Sequence, residues 1–202
     1  RVYGNWSVPA PLSWEAQALL RARGVAGSVK LIQRFITLAD GVRYPSAVAV
    51  QDLREIKRIK ARVENERLPQ GVDRSRHLKL GPGGLSDVEW LVQLIQHEHA
   101  HRISGLQTTS TLDALEAARE AGLVPDAAAA RLSESWRLAS RLRSANTLLS
   151  GQTSDALPTD RAKLDGIGRL LDYPERSATL VEEEWLRTAR RARRDFERLF
   201  YG

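Results

Sequence analysis

The segment from 125 to 151, PDAAAARLSESWRLASRLRSANTLLSG, decides the fold class of this 202-residue chain. Pro125 opens the segment, Gly151 closes it, and no other proline or glycine interrupts it, which predicts one long helix. Its apolar residues form two stripes at helical spacing: Leu138, Leu142, Ala145 and Leu149, and Leu132, Trp136 and Ala139. A helix that is apolar on two sides packs between neighbours, so we expect it at the centre of a helical bundle.

Helix start and stop signals on both sides of this segment predict the other elements. We expect helices over residues 13–23, 29–39, about 46–67, 86–101, 110–122, 160–171 and 177–200. The period-two alternation of a strand is missing throughout. The sequence therefore predicts one all-α domain, a bundle of about eight helices. We assign residues 1–45 to connecting helices and residues 46–202 to the bundle proper.

Composition narrows the class of protein. The chain has no cysteine, which excludes disulfides, thiolate metal sites and cysteine nucleophiles, and fits a reducing compartment. No stretch approaches the ~20 apolar residues of a membrane span, and no signal peptide is visible, so we expect a cytoplasmic protein without membrane contact. The first residue is Arg1, which suggests a piece of something longer.

A net charge of +6 allows an anionic partner. The final predicted helix carries a basic stripe: Arg187, Arg191, Arg194 and Arg198. Its aromatic residues, Trp185 and Phe196, fall on the opposite side, whereas nucleic-acid surfaces interleave basic and exposed aromatic groups. We interpret the stripe as a solvated face and expect no nucleic acid as a partner.

The longest irregular segment, residues 68–84, ends in a glycine-rich turn from Lys79 to Gly84 that leads into a helix. Loops of this length inside a compact domain are usually functional or mobile. Ser86 and Glu89 have the spacing of a capping box at the start of that helix. Glycines permit close backbone approach and a helix start attracts phosphate, with Lys79 as an added charge. A tight structural turn fits the same composition.

Two further patterns leave alternatives open. His97-Glu98-x-x-His101 has the spacing of a zinc hydrolase motif, but it closes a helix, where histidine is favoured anyway, and no third ligand has a recognisable spacing. We predict no metal site. Arg143 and Asn146 continue an apolar stripe, so they need partners, either internally or in a ligand cleft. Motifs that by themselves indicate an active site, such as G-x-S-x-G or a Walker loop, are absent from the sequence.

The run from Lys79 to Gln93, KLGPGGLSDVEWLVQ, resembles the K-x-G-x-G-G-[IL]-x-[DE]-[IV]-E-[FW]-x-x-Q signature of the glutamine synthetase adenylyltransferase family. Other segments are similar to family landmarks: 14–27, Tyr44-Pro45, 56–63, 109–112, 155–158 and the ending Phe200-Tyr-Gly, which looks actinobacterial. The resemblance covers nearly the whole chain and favours the C-terminal, adenylylating half. The paralogous helical domain of PII uridylyltransferases is a rival that the signature disfavours.

The resemblance implies a helical domain that follows a nucleotidyltransferase fold and transfers AMP from ATP to a tyrosine of glutamine synthetase, with Mg²⁺ and under control of the PII protein. The metal-binding carboxylates, expected as Gly-Ser-x-x-Asp-x-Asp, are not in this sequence. We therefore expect no catalytic residue here, no bound cofactor and an isolated chain without activity. An interaction bundle that only docks glutamine synthetase or PII is the alternative.

Combining the turn with the resemblance gives a set of candidate residues near the nucleotide. We expect the turn to close one wall of the neighbouring active site, with two cations of the preceding helix behind it and one of the long helix as a weaker candidate. The set is Lys79, Gly81, Gly83, Gly84, Asp87, Glu89, Arg58, Arg62 and Arg143.

Overall fold

A computed structural model describes residues 13–68 and 71–202, and within them the chain forms eight α-helices. These are α1 (Ser13–Leu19), α2 (Val29–Arg43), α3 (Val50–Glu66), α4 (Leu85–His99), α5 (Thr111–Glu120), α6 (Asp126–Ser150), α7 (Arg161–Leu170) and α8 (Ala178–Phe196). Short 3-10 turns occupy Arg74–Arg76 and Ser104–Leu106, and a π turn, Glu197–Tyr201, follows α8. The all-α prediction is confirmed. Among the described helices, none is both long and apolar enough to cross a bilayer.

Helix α6 is the centre of the bundle, as its two apolar stripes predict. It packs against α4, α5, α7 and α8. Leu132, Ala139 and Leu142 are fully buried. The stripe fails only at its end, where Leu149 is 41% exposed. Because both sides of α6 are covered, it separates two apolar clusters, one with α4 and α5 and one with α7.

The ends of the first helices differ from the prediction. Helix α1 stops at Leu19, and α2 continues through Gly41 to Arg43. Arg43 explains both ends: its guanidinium donates to the carbonyl oxygens of Leu19 and Ala22, at 3.2 and 2.8 Å, and to the Asp40 carboxylate. The open carbonyls of α1 are thus capped by a side chain of α2. The helix signals at Pro9 and Pro11 lie outside the described residues.

Three later helix boundaries, the starts of α5 and α7 and the end of α6, agree with their signals. The Ser110 hydroxyl accepts from the Asp113 amide at 3.4 Å, and the Asp160 carboxylate accepts from the Lys163 amide at 3.0 Å. Gly151 ends α6 with a φ of +67°, the left-handed conformation that favours glycine. Local side-chain chemistry therefore fixes these helix ends.

Candidate functional site

The glycine-rich turn, Lys79 to Gly84, lies at the junction of α4 and α8. Gly83 has a φ of +74°, and a Cβ there would collide with the carbonyl of Ala189 in α8. A Cβ on Gly81 would collide with the carbonyl oxygens of Arg74 and His77. The glycines are therefore required because backbone packs directly against backbone.

Four amides of this turn, those of Leu80, Gly81, Gly83 and Gly84, donate within the chain. Hydrogen bonds join Gly81 N to His77 O at 2.9 Å, Leu80 N to His77 Nδ1 at 3.0 Å, Gly83 N to Asp87 Oδ2 at 2.7 Å and Gly84 N to Gly81 O at 3.0 Å. Pro82 has no amide hydrogen. These four amides are thus not available to a phosphate in this conformation. The side chain of Lys79 is exposed and makes no hydrogen bond or ion pair with the described residues.

Asp87 joins the turn to two other helices. The carboxylate is 1% exposed. Its Oδ1 lies 2.6 Å from Nζ of Lys60 in α3, and its Oδ2 lies 3.1 Å from Nη1 of Arg193 in α8. With the Gly83 amide on the same Oδ2, the carboxylate is saturated by donors from the turn, α3 and α8. Asp87 therefore has a structural role, which is to connect the turn to α3 and α8.

The capping-box prediction at Ser86 is wrong. The N-cap is Gly84, Ser86 lies inside the first turn of α4, and no side chain bonds from the cap position. Asp87 instead stands three residues after the cap and reaches back to the Gly83 amide. Because the helix begins before Ser86, the carboxylate of Asp87 takes the role expected for Glu89.

Glu64 completes a four-charge network with Asp87, Lys60 and Arg193, which we call the junction network. Its carboxylate lies 2.9 Å from Nζ of Lys60 and accepts two bonds from Arg193, at 2.9 and 3.2 Å. Burial alone would raise the pKa of Glu64, but hydrogen bonds from both cations outweigh it and lower the pKa. Both cations also lie over the ring of Phe196, at 5.3 and 5.1 Å from its centroid.

The structure does not bring the other candidates to the turn. Arg58 is largely exposed and pairs with Glu55 of its own helix at 3.2 Å. Arg62 is exposed and makes no hydrogen bond or ion pair with the described residues. Glu89 lies 3.8 Å from Arg21, which follows the end of α1. Arg58 and Glu89 therefore pair with residues outside the turn, and Arg62 has no such pair.

Arg143 and Asn146 have internal partners, which was one of the two alternatives left open. Arg143 pairs with Asp155, and the Asn146 side chain donates to the carbonyl of Ala156 at 3.1 Å. Asp155 and Ala156 belong to the loop after α6, and the backbone carbonyl of Asp155 also accepts a hydrogen bond from the Leu78 amide at 2.7 Å. The pair therefore fixes the loop after α6 beside the segment that precedes the turn.

A cleft of about 390 Å³ lies beside the turn, and sequence reasoning missed it. It is lined by Ser75, Pro82, Leu186, Ala189, Arg190, Arg193, Arg194 and Glu197. Arg190 and Arg194 are exposed and make no ion pair with the described residues. The i, i+4 spacing of Arg190 and Arg194 is the sequence signal that could have indicated this cationic face. Arg194 also belongs to the predicted basic stripe, whose four arginines, Arg187, Arg191, Arg194 and Arg198, are all exposed.

The zinc-motif histidines occupy the end of α4. His97 is 3% exposed, whereas His101 is half-buried in the turn that follows. No group of three or more His, Asp or Glu residues in the described part of the chain is arranged to hold a metal ion.

The described residues thus form an all-α bundle organised around a glycine-rich turn. Residues 54–201 match the sequence model of the family described as GlnD PII-uridylyltransferase, and the chain belongs to that family. The match covers α4 to α8 and nearly all of α3, so α1 and α2 lie outside it.

Curated relatives carry the other name that the sequence analysis considered. Proteins named bifunctional glutamine synthetase adenylyltransferase/adenylyl-removing enzyme are 59% identical over 200 residues in Leifsonia xyli, 52% over 201 in Streptomyces coelicolor and 45% over 203 in Cutibacterium acnes. The alignments cover 99%, 99% and 100% of this chain, but only 20% of each relative. The resemblance to these actinobacterial adenylyltransferases is confirmed. The chain spans about a fifth of their length.

Proposed function

We propose that this chain is the helical part of an enzyme that transfers AMP from ATP to a tyrosine of glutamine synthetase. The observation that carries the proposal is the 59% identity to a named adenylyltransferase over 200 residues, which span the glycine-rich turn. ATP and Mg²⁺ would bind to the nucleotidyltransferase part of the longer polypeptide. Residues 1–45 would connect that part to the bundle of residues 46–202.

The chain's own contribution would be a rigid, cationic wall beside the nucleotide. The junction network fixes the turn against α3 and α8, and Lys79 projects from it into solvent. Lys79 on the turn and Arg62 on α3 both remain exposed without an acidic partner. Because Lys79 belongs to the turn itself, it is the better group to meet a triphosphate there. Arg58 and Arg143, already paired, would contribute less. The glycines, Asp87 and Glu89 would act by shaping the wall.

The residues of the junction do not fit a magnesium ion. Mg²⁺ requires oxygen ligands at close range in a nearly octahedral arrangement. The two acids of the junction network are Asp87 and Glu64, and both carboxylates already bind Lys60 and Arg193. No step of the reaction is therefore assigned to a metal held by this chain.

The experiment is Lys79→Ala in the full-length protein, with kcat and KM for ATP measured on purified glutamine synthetase. Loss of one charge-assisted contact to phosphate should lower kcat/KM about tenfold or more. Lys163→Ala is the matched control, because Lys163 is equally exposed on α7. Lys79→Arg should restore part of the rate. A wild-type protein that cannot adenylylate glutamine synthetase would overturn the function itself, and equal rates for both alanine variants would remove Lys79 from the wall.

One observation favours the alternative, an interaction bundle that docks glutamine synthetase or PII without touching the nucleotide. Four of the turn amides and the carboxylates of Asp87 and Glu64 are used within the chain. On that hypothesis, Lys79→Ala and Arg62→Ala leave KM for ATP unchanged and weaken only the binding of the partner protein. Either way we propose a cytoplasmic protein, and a chain that is inactive when separated from its catalytic neighbour.

A further inference from the structure

Helix α8 presents a cationic side to solvent. Four of its arginines are exposed and lie within about 100° of the helix circumference, opposite the buried side that carries Trp185 and Phe196. Their side chains make no hydrogen bond or ion pair with any residue that the structure describes. We call this set the arginine face: Arg187, Arg190, Arg191 and Arg194.

The acids closest to these arginines in the sequence are already used. The buried carboxylate of Asp195 accepts two hydrogen bonds from Arg131, at 2.5 and 2.9 Å. The carboxylate of Glu197 pairs with Arg193 at 2.8 Å. Residues 187–198 contain six arginines and two acids, so this short stretch carries four of the six net positive charges of the whole chain. The positive charge of the chain is therefore concentrated on one helix.

Helix stability does not explain the arginine face. Its neighbouring members stand three or four residues apart, where like charges repel each other and destabilise a helix. The helix macrodipole favours cations only in the last turn, which contains Arg194 but not the other three. Glu183 stands one turn before Arg187 without forming an ion pair with it. A concentration of charge that does not stabilise its own domain indicates a surface for an anionic partner.

The arginine face adjoins the glycine-rich turn. Arg190 and Arg194 line the cleft of about 390 Å³ that also contains Pro82 of the turn. Arg191 and Arg194 line a second cleft, of about 300 Å³, between α6 and α8. Arg194 borders both clefts, so the cationic surface runs without interruption from the turn across α8.

The composition of this surface fits a protein partner better than a nucleic acid. Leu186 and Pro82 supply apolar surface in the cleft beside the exposed arginines. Apolar surface with arginine around it is typical of protein interfaces. The aromatic residues of α8, Trp185 and Phe196, are 0% exposed and are not available to stack on bases. The partner surface is therefore acidic and belongs to a protein.

We propose that the arginine face docks an acidic patch on the protein whose tyrosine is modified, an inference that rests on the proposed function. A protein substrate that places one side chain beside the turn must lay its surrounding surface on whatever adjoins the turn, which is the arginine face. Opposite charges orient the two proteins and speed their association before the tyrosine enters the active site. The stripe then has a role beyond the solvated face that the sequence predicts.

The test is binding of the full-length protein to immobilised, purified glutamine synthetase without ATP, measured by biolayer interferometry. Arg191→Ala combined with Arg194→Ala should raise Kd about tenfold, mostly through a slower association rate. The same two positions changed to lysine keep their charge, so Kd should stay within about twofold. The matched control is Lys163→Ala combined with Arg169→Ala, which removes two exposed cations of α7 and should also stay within about twofold.

Salt and chemical labelling give two further measures. The difference between the wild-type protein and the alanine variant should shrink from about 0.1 to about 1 M salt, because the Debye length falls from about 10 to about 3 Å. In the free full-length protein, p-hydroxyphenylglyoxal should label Arg191 and Arg194 as readily as the exposed Arg169. Glutamine synthetase should protect the first two from labelling and leave Arg169 reactive, as read by mass spectrometry.

Several results would overturn the proposal. These are equal Kd values for the two double-alanine variants, a lysine variant as weak as the alanine variant, or a wild-type protein that does not bind glutamine synthetase. Slow labelling of Arg191 and Arg194 in the free protein would show that the longer polypeptide itself covers the face. Tighter binding to a short duplex DNA than to glutamine synthetase would make the face a nucleic-acid surface. All these measurements are made without ATP, so a failure of adenylylation itself is seen separately.

Discussion

Substitution of Asp87 by asparagine tests whether the junction network holds the bundle together. The change preserves the size of the side chain and removes its charge. Asp87 Oδ1 lies 2.6 Å from Lys60, and its Oδ2 receives both Arg193 and the Gly83 amide. An asparagine can keep one acceptor, but its amide hydrogens would then face a donor. Arg193 would keep Glu64 and Glu197, whereas the buried Lys60 would keep only Glu64.

The expected cost follows from burial. Breaking a buried ion pair by removing one partner costs about 3–5 kcal/mol, because a charge is left uncompensated. Lys60 is 1% exposed, but it keeps Glu64 at 2.9 Å, so we expect the lower end, about 3 kcal/mol. For a domain of this size that corresponds to a fall in melting temperature of about 6–12 °C. Lys60→Met combined with Asp87→Asn should cost less than the sum of the two, by roughly 1–3 kcal/mol.

The assay is urea unfolding followed by far-UV circular dichroism, with thermal melts as a second measure. Glu55→Gln is the control, because it makes the same carboxylate-to-amide change in the exposed pair with Arg58. Exposed pairs contribute about 0.2–1 kcal/mol, so the control should stay within that range. If Asp87→Asn is no more destabilising than Glu55→Gln, the junction network is not a stabilising element and this reasoning fails.

Three further predictions concern the same region. Gly83→Ala should cost more than about 3 kcal/mol in the free energy of unfolding, whereas Gly151→Ala, with the same sign of φ but open space around it, should cost about 1–2 kcal/mol; equal costs would refute the packing argument. Burial lowers the pKa of His77 from 6.5, so the unfolded chain takes up the proton first and stability should fall between about pH 7 and pH 5. His77→Gln should flatten that slope and His99→Gln should keep it, as measured by unfolding at each pH. Trp185→Phe should cost about 1–3 kcal/mol by the same assay, because it removes the bond from the buried indole to a backbone carbonyl at 2.8 Å; an unchanged unfolding midpoint would contradict this.

The spacing of apolar residues and the start and stop signals of the helices were sufficient to predict the all-α class and the central helix. The two stripes of α6 depend only on spacing along one helix, and the caps at Ser110, Asp160 and Gly151 depend on residues within one turn. The errors came where distant groups decide the outcome. Arg43 caps a helix 24 residues before it, and nothing in the local sequence marks that contact.

The candidate site was predictable in position but not in chemistry. The glycines and Asp87 lie in the segment that the sequence analysis singled out. A glycine that approaches a phosphate and one that approaches another helix, however, cannot be distinguished from the sequence alone. The partners that decide between them, Lys60 and Arg193, stand 27 and 106 residues from Asp87. Long-range pairing of this kind requires the tertiary structure.

The structure gives the signature segment a physical explanation that is independent of any ligand. Gly83 allows α8 to approach, its amide then needs an acceptor, and Asp87 supplies one from the first turn of α4. A carboxylate buried in that position needs cations, which Lys60 and Arg193 bring from α3 and α8. Each requirement creates the next, so the turn and the three helices form one cooperative unit. The side chain of Lys79 projects from the turn without a partner among the described residues, and for that reason it is the residue on which the proposed contact with the nucleotide depends.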